Sequence, residues 1–327
     1  MAESNKFSRA FRLSFFVLVV FLILLNITPV TVFLGDRLVA TDDLSAAELL
    51  YKLGRFTNIY KVDFDKRLAV IKVVKEERLG ESEETSTDKF LAEDNQLKNV
   101  LGASVTIPVL MYHYIRVNPN PADKVGFNLS VTPKNFASQM DYLVSHGYHT
   151  ITLDELGASL LGTVPLPQKP IVITFDDGYR DSYRSAWPIL RQRNLKAVNF
   201  IITGFVDGPN YLSWGEIADM KNSGVFTFGS HTVNHSALTY LGIERIRKEV
   251  GDSKNILQAH LGYQINWFAY PYGNVNEKVA EVVNQTGYIG AFGTNNGTYH
   301  NTEAMYTLPR IRIGGGDNVQ TFAAKLP

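Results

Sequence analysis

Two short stretches hold the residue types best suited to chemistry. The first is Ile171-Val172-Ile173-Thr174-Phe175-Asp176-Asp177-Gly178-Tyr179. Its β-branched and aromatic residues read as a buried strand, and the paired carboxylates stand where that strand must end. Adjacent aspartates repel, so keeping both ionised at the mouth of an apolar strand calls for a compensating cation, and a metal is the natural one. By itself the stretch reads equally well as a solvated Asp-Asp-Gly turn. The second stretch is Ser230-His231-Thr232-Val233-Asn234-His235, which again follows a strand-like run, Val225-Phe226-Thr227-Phe228-Gly229. If the segment makes one helical turn, two imidazoles four apart reach the same point in space. Together with one aspartate they form a His-His-Asp set, and three protein ligands leave the open position of a catalytic metal. Cysteine is absent, so His, Asp and Glu are the only strong metal ligands and disulfide staples are excluded.

The elements that must position these groups alternate between strand and helix from Ile107 onward. Pro108-Val109-Leu110-Met111-Tyr112 reads as the first strand. Thr132 caps a helix begun by Pro133, in which Phe136, Met140 and Leu143 recur at helical spacing before Gly147 stops it. Thr150-Ile151-Thr152-Leu153 reads as the next strand. After the aspartates a helix turns Tyr183, Trp187 and Leu190 inward, and Ala197-Val198-Asn199-Phe200-Ile201-Ile202 follows as a strand. Ser213-Trp214-Gly215-Glu216 has capping-box spacing and opens a helix toward the histidine strand. Ile243 to Leu261 is helical, Trp267-Phe268-Ala269-Tyr270 a strand, and Val275, Val279 and Val282 mark a further helix. Ile289-Gly290-Ala291-Phe292 and Ile311-Arg312-Ile313 close the series. Such alternation predicts a parallel α/β domain. In a barrel of that class the active residues sit at the C-terminal ends of strands, where both chemical stretches and the turn Tyr270-Pro271-Tyr272 fall.

With 327 residues, 45% of them apolar, the chain is long enough for one large or two smaller domains. Lys plus Arg equals Asp plus Glu at 32 each, so no global positive field draws it to nucleic acid or to anionic lipid. Lys6, Arg9 and Arg12 precede an uncharged, mostly apolar run from Leu13 to Leu34. A bilayer span needs about 20 such residues, so residues 1–35 read as a cytoplasmic tail and a single transmembrane anchor with the remainder outside. A cleaved signal peptide is the runner-up. Residues 36–106 carry polar, charged runs such as Lys75-Glu76-Glu77-Arg78 and read as a stalk or a small accessory region. Residues 107–327 hold the alternating domain.

Thr174-Phe175-Asp176-Asp177-Gly178, then Ser230-His231-Thr232-Val233-Asn234-His235, then Phe268-Ala269-Tyr270-Pro271-Tyr272-Gly273, resemble the three ordered motifs of the NodB-homology polysaccharide deacetylases, carbohydrate esterase family 4. The resemblance runs from about Ile107 to the C-terminus. It implies a distorted (β/α) barrel and metal-dependent hydrolysis of N-acetyl groups, with acetate released from an extracytoplasmic polysaccharide containing N-acetylglucosamine. By match to the family pattern, Asp177, His231 and His235 bind one divalent metal ion, expected to be zinc, and Asp176 is left as the catalytic base. The backbone N–H of Tyr272 faces the developing oxyanion. The strand end Met111-Tyr112-His113 is similar to that of membrane-associated poly-N-acetylglucosamine deacetylases, which makes His113 the candidate acid or substrate contact.

Two positions depart from the pattern. Ala269 stands where many members have an arginine that orients the base, and Arg310, on another strand, is the candidate to replace it. Leu308-Pro309-Arg310-Ile311-Arg312 stands where a Leu-x-His motif often supplies the acid. These departures keep open a catalytically silent carbohydrate-binding domain on a membrane stalk. A deacylase of a non-glycan amide also stays open, because the chemistry selects the bond and not the polymer. An iron oxygenase with the same ligand trio is disfavoured by the strand-helix alternation.

Overall fold

The computed structural model of the chain describes residues 104–120, 122–161 and 164–327. The expected membrane anchor and nearly all of the expected stalk lie outside these residues. Among the described residues no helix is long and apolar enough to cross a membrane.

Twelve short strands are present among the described residues. β1 (Ser104–Thr106) pairs antiparallel with β11 (Tyr299–Asn301), so the last residues assigned to the stalk join the domain. β2 (Val109–Tyr112), β6 (Pro170–Phe175), β7 (Ala197–Ile201), β8 (Phe226–Ser230), β9 (Trp267–Ala269), β10 (Gly290–Phe292) and β12 (Ile311–Arg312) form one parallel sheet. Their spatial order is β10-β9-β8-β7-β6-β2-β12, and β5 (His149–Thr150) pairs with the start of β6. The remaining pair is β3 (Tyr114–Ile115) with β4 (Ser130–Val131). A parallel bridge between Phe292 and Leu308 links the β10 edge to the segment that enters β12. The sheet is a half-barrel of parallel strands, consistent with the (β/α) expectation. Its central strands are buried on both faces, as crossover helices require: every residue of β2 and β7 is buried, while Thr227 of β8 and Arg312 of β12 are exposed.

Eight α-helices punctuate the strands among the described residues: α1 (Lys124–Leu129), α2 (Pro133–Ser145), α3 (Leu153–Leu160), α4 (Trp187–Gln192), α5 (Trp214–Asn222), α6 (Ile243–Leu261), α7 (Glu277–Gln285) and α8 (Val319–Ala323). Thr132 caps α2 through Asn135 N–H, and Phe136, Met140 and Leu143 face the core as expected. Burying each such side chain contributes about 1.5–3 kcal/mol. Ser213 and Glu216 form the capping box of α5.

Two sequence expectations need correction here. Thr150-Ile151-Thr152-Leu153 is not a continuous strand: only His149–Thr150 pairs, and Thr152 caps α3 in a box with Glu155. The apolar alternation concealed a Thr-x-x-Glu signal, which satisfies two orphan N–H groups and so favours the helix start. The helix after the aspartates begins as a π-turn, Ser182–Ala186, before α4. That register buries Leu190 and leaves Tyr183 and Trp187 half-buried.

Candidate active site

Asp176 and Asp177 follow β6 directly, and the pairing of Tyr112 with Phe175 sets His113 beside them at the same end of the sheet. Asp176 N–H donates to the Tyr112 carbonyl at 3.0 Å, continuing the ladder through the first aspartate. Asp177 then turns out of the strand with φ +75° and Gly178 follows at +74°. These successive left-handed residues send the two carboxylates in different directions.

Asp177 meets the histidines. Its Oδ1 lies 3.3 Å from His231 Nε2 and 3.2 Å from His235 Nε2. That buried oxygen nevertheless has no aligned hydrogen-bond partner. The ligating atoms of the three residues all lie within 4.8 Å of one another. An orphaned carboxylate oxygen facing two imidazole nitrogens is what a cation-binding donor set looks like before its cation, so these residues fit a divalent metal. His231 Nδ1 donates to the Ala269 carbonyl at 2.7 Å, which directs the Nε2 lone pair toward Asp177. His235 Nδ1 lies 3.1 Å from the Tyr272 hydroxyl.

The histidines converge by a route other than the expected helical turn. Residues 231–237 are irregular, with Thr232 at φ +69° and His235 at +55°. Two strained left-handed residues are held by local bonds: Thr232 Oγ1 accepts from His235 N–H at 2.9 Å, and the Thr232 and Val233 carbonyls accept from Thr203 and Gly204. A Cβ at Gly204 would sit 2.6 Å from the Val233 oxygen, so the approach requires glycine. Glu249 of α6, 2% exposed, finishes the clamp. Its carboxylate accepts from Val233 N–H at 3.1 Å, Asn234 N–H at 2.9 Å and Asn234 Nδ2 at 2.9 Å. The sequence reading missed Glu249. Its signal was a carboxylate on the inward stripe of a helix, between Ile246, Val250, Ser253 and Leu257.

Asp176 meets an arginine. Arg310, fully buried, donates from both terminal nitrogens to the two carboxylate oxygens at 2.7 Å each. Arg310 also donates to Thr174 Oγ1 at 3.1 Å and to the Gly293 carbonyl at 3.2 Å, and its guanidinium lies 5.7 Å from the ring centres of Phe200 and Phe292. The position that lacks an arginine at Ala269 is therefore supplied from the segment entering β12.

The electrostatics follow from this division. Burial raises the Asp176 carboxyl, but Arg310, with help from His231, outweighs it and holds the group below the ordinary carboxylate range. Burial also raises Asp177, and the two imidazoles draw it well below that range. Burial lowers His231 while the Asp177 carboxylate at its Nε2 and the charge of Asp176 raise it, with a net rise. Burial pushes His113 down, against the pull of both aspartates, and its buried Nδ1 has no hydrogen-bond partner. With Asp176 neutralised by Arg310, the negative charge of Asp177 is left for a cation.

Tyr270-Pro271-Tyr272-Gly273 forms a tight turn with Tyr272 at φ +60° and Gly273 at +71°. A side chain at Gly273 would run into Thr294. Tyr272 is 63% exposed, so the ring forms a rim of the mouth and not part of the core. Close to Asp177 lies a stack that the sequence reading did not anticipate. Arg116 lies 3.4 Å over the Tyr114 ring, Tyr114 stacks on Tyr179 at 3.6 Å, and Tyr179 on Tyr211 at 5.3 Å.

Comparison with known proteins agrees with this geometry. The pattern of the family described as polysaccharide deacetylase matches residues 163–291. A putative polysaccharide deacetylase, YxkH, of Bacillus subtilis is 31% identical over 218 residues, covering 67% of this chain and 75% of that protein. A poly-beta-1,6-N-acetyl-D-glucosamine N-deacetylase of Staphylococcus aureus is 30% identical over 200 residues, covering 57% of this chain and 68% of that protein. The solved structure of the Streptococcus pyogenes deacetylase PplD in complex with acetate aligns with a TM-score of 0.64 at 29% identity, covering 69% of this chain and all of that one. The two chemical stretches, the aspartate-histidine cluster and these likenesses together mean that the chain belongs to the polysaccharide deacetylase family, hydrolases that act on N-acetyl groups.

Proposed function

We propose that this chain is a metal-dependent deacetylase that removes N-acetyl groups from an extracytoplasmic polysaccharide containing N-acetylglucosamine. The observation that carries the reading is the split of the twin aspartates, Asp177 into a His-His-Asp set and Asp176 into an arginine-held carboxylate beside it. The similarity to a poly-beta-1,6-N-acetyl-D-glucosamine N-deacetylase supports the polymer class.

A divalent ion, zinc by donor preference, held by Asp177, His231 and His235 would supply Lewis acidity to the amide carbonyl and acidify the attacking water. Asp176 accepts the water's proton. It is ionised at neutral pH, and Arg310 keeps both oxygens in one orientation. Tyr272 N–H stabilises the oxyanion of the tetrahedral adduct. The departing amine must receive a proton, and the one taken from water onto Asp176 is available for it; His113, beside the aspartates at the same end of the sheet, contacts the leaving group or passes that proton to it. Burial disfavours its imidazolium, so its protonated fraction is lost at a lower pH than for a free histidine. The uncharged run Leu13 to Leu34 anchors the chain in the cell membrane with the deacetylase domain outside.

The test is acetate release by the full chain in detergent, stripped with chelator and reloaded with zinc, on poly-N-acetylglucosamine, chitin oligomers and peptidoglycan. Release that returns with metal on at least one polymer is expected. No acetate from any of them with metal bound would remove the reading.

A further inference from the structure

A polar cleft of about 950 Å³ lies on the β12 side of the site, and nothing in the catalytic arrangement uses it. Its lining includes Thr294 and Asn296, Arg312 and the run Gly314-Gly315-Gly316. It is tied to the chemistry at three points. Thr294 packs on Gly273 of the oxyanion turn. The carbonyls of Gly293 and Asn295, on either side of Thr294, accept from Nε and the backbone N–H of Arg310. Arg312 pairs in register with Met111, two residues before His113, and its charge reaches that imidazole. These ties place one end of the cleft beside the catalytic groups.

The charges in the cleft are unequal. Asp317 is engaged by Gly314 N–H at 2.7 Å and by Lys325 Nζ at 2.7 Å, and Lys325 also donates to the Arg312 carbonyl. The Arg312 guanidinium is exposed and makes no ion pair or side-chain hydrogen bond among the described residues. Among the described residues the cleft thus offers neutral hydrogen-bonding groups and one planar cation without an acidic partner. A guanidinium binds carboxylate or phosphate through two parallel N–H bonds.

We infer that this cleft is a glycan subsite, and that Arg312 selects polymers in which a unit next to the reacting one carries a carboxylate or phosphate. The inference rests on the deacetylase reading and names its substrate more narrowly. The experiment separates the two. Acetate release by the unmodified chain tests the reaction. Calorimetric titration of the full chain carrying Asp176→Asn tests the cleft, because bound oligosaccharide is then turned over slowly. The probes are three N-acetylglucosamine pentamers: neutral, with one carboxylated unit, and with one phosphorylated unit. At low salt one or both acidic pentamers should bind about tenfold tighter than the neutral one, and whichever does so identifies the substituent. Arg312→Gln and 0.5 M salt should each close that gap. Gly316→Trp should weaken all three pentamers, since a Cβ there meets open space and the ring would fill the cleft without disturbing the fold. Equal affinities for neutral and acidic pentamers, a gap that survives Arg312→Gln, or a Gly316→Trp variant that binds like its parent would overturn the inference.

Discussion

Asp176 and Asp177 are the same residue type, adjacent in the chain and both nearly fully buried, yet they occupy opposite physical states. Asp176 is saturated: a buried guanidinium meets both oxygens, and the pair is close to neutral and geometrically rigid. Asp177 is unsatisfied: one of its buried oxygens faces two imidazole nitrogens at contact distance without an aligned bond. Their partners differ as well. Arg310 rests on strand-end and loop groups of ordinary conformation, whereas the histidines ride on a loop with two left-handed residues that needs Glu249 to hold it. A base must stay ionised and still, so its charge is compensated inside the protein. A ligand must keep charge in reserve, so its compensation is left to the ion. The difference shows that catalytic roles within a twin carboxylate are assigned by what each oxygen is denied, as much as by what it touches.

The comparison breaks most visibly when each aspartate is neutralised in turn. Asp177→Asn should lose metal and activity together, and added zinc should restore part of the activity. Asp176→Asn should keep its metal while acetate release falls by about 10² to 10⁴, the span of a general-base contribution. Metal content and turnover of the two variants side by side decide it, and a metal-depleted Asp176→Asn beside a metal-replete Asp177→Asn would reverse the roles.

Removing the arginine probes the saturated side alone. Arg310→Met leaves a buried carboxylate without its partner and should cost about 3–5 kcal/mol by urea denaturation at pH 7. The depressed Asp176 carboxyl contributes stability above its unfolded pKa of about 3.9, and that contribution is lost as pH falls through the still lower folded value. Without the guanidinium, burial acts unopposed and raises the carboxyl. The acid limb of the activity profile should then move to higher pH. Asp176→Asn combined with Arg310→Met should regain part of the stability and none of the activity. Equal stability of Arg310→Met and the parent would mean that the pair is solvated.

The unsatisfied side responds to Glu249. Glu249→Ala removes the acceptor for three N–H donors of the ligand loop, and metal affinity should fall about 10- to 100-fold, the range seen for groups that orient ligands. Competition with a chelator dye measures it. The stability gap between Arg310→Met and its parent should persist unchanged in the Glu249→Ala background, since the two clamps share no residue. The smallest effect is expected for Tyr272→Phe, which deletes the hydroxyl at His235 Nδ1 and keeps the turn and its backbone N–H. Metal affinity should drop less than tenfold, and a larger loss would make that hydroxyl the main orienting partner of His235.

Most of the site's membership was legible along the chain, because each contributor sits at the end of an apolar run and strand direction then places all of them at one end of a parallel sheet. Thr174-Phe175-Asp176-Asp177, Ser230-His231 and Ala269-Tyr270-Pro271-Tyr272 are read this way, and the helix from Ile243 to Leu261 is found at the expected bounds. The site's geometry was legible only in part. Spacing suggested that His231 and His235 share a helical turn, but the loop closes by positive φ at Thr232 and His235, a choice enforced by Gly204, Thr203 and Glu249 from other elements. Local pattern cannot report a conformation that costs free energy locally and is stabilised from elsewhere.

What the sequence determined by itself is therefore the chemistry on offer: two carboxylates, two imidazoles, a stiff Tyr-Pro-Tyr-Gly turn and a strand-helix alternation compatible with a barrel. The family resemblance assigned the roles of the two aspartates, and only the tertiary structure decided how one is pinned on both oxygens while the other is left open. That depends on Arg310, 134 positions away in the chain, entering beside β12 and reaching Asp176 and not its neighbour. Hydrophobic periodicity encodes which face of an element is buried. The pairing of charges across a sheet is fixed by register and by the cost of burying any of them alone.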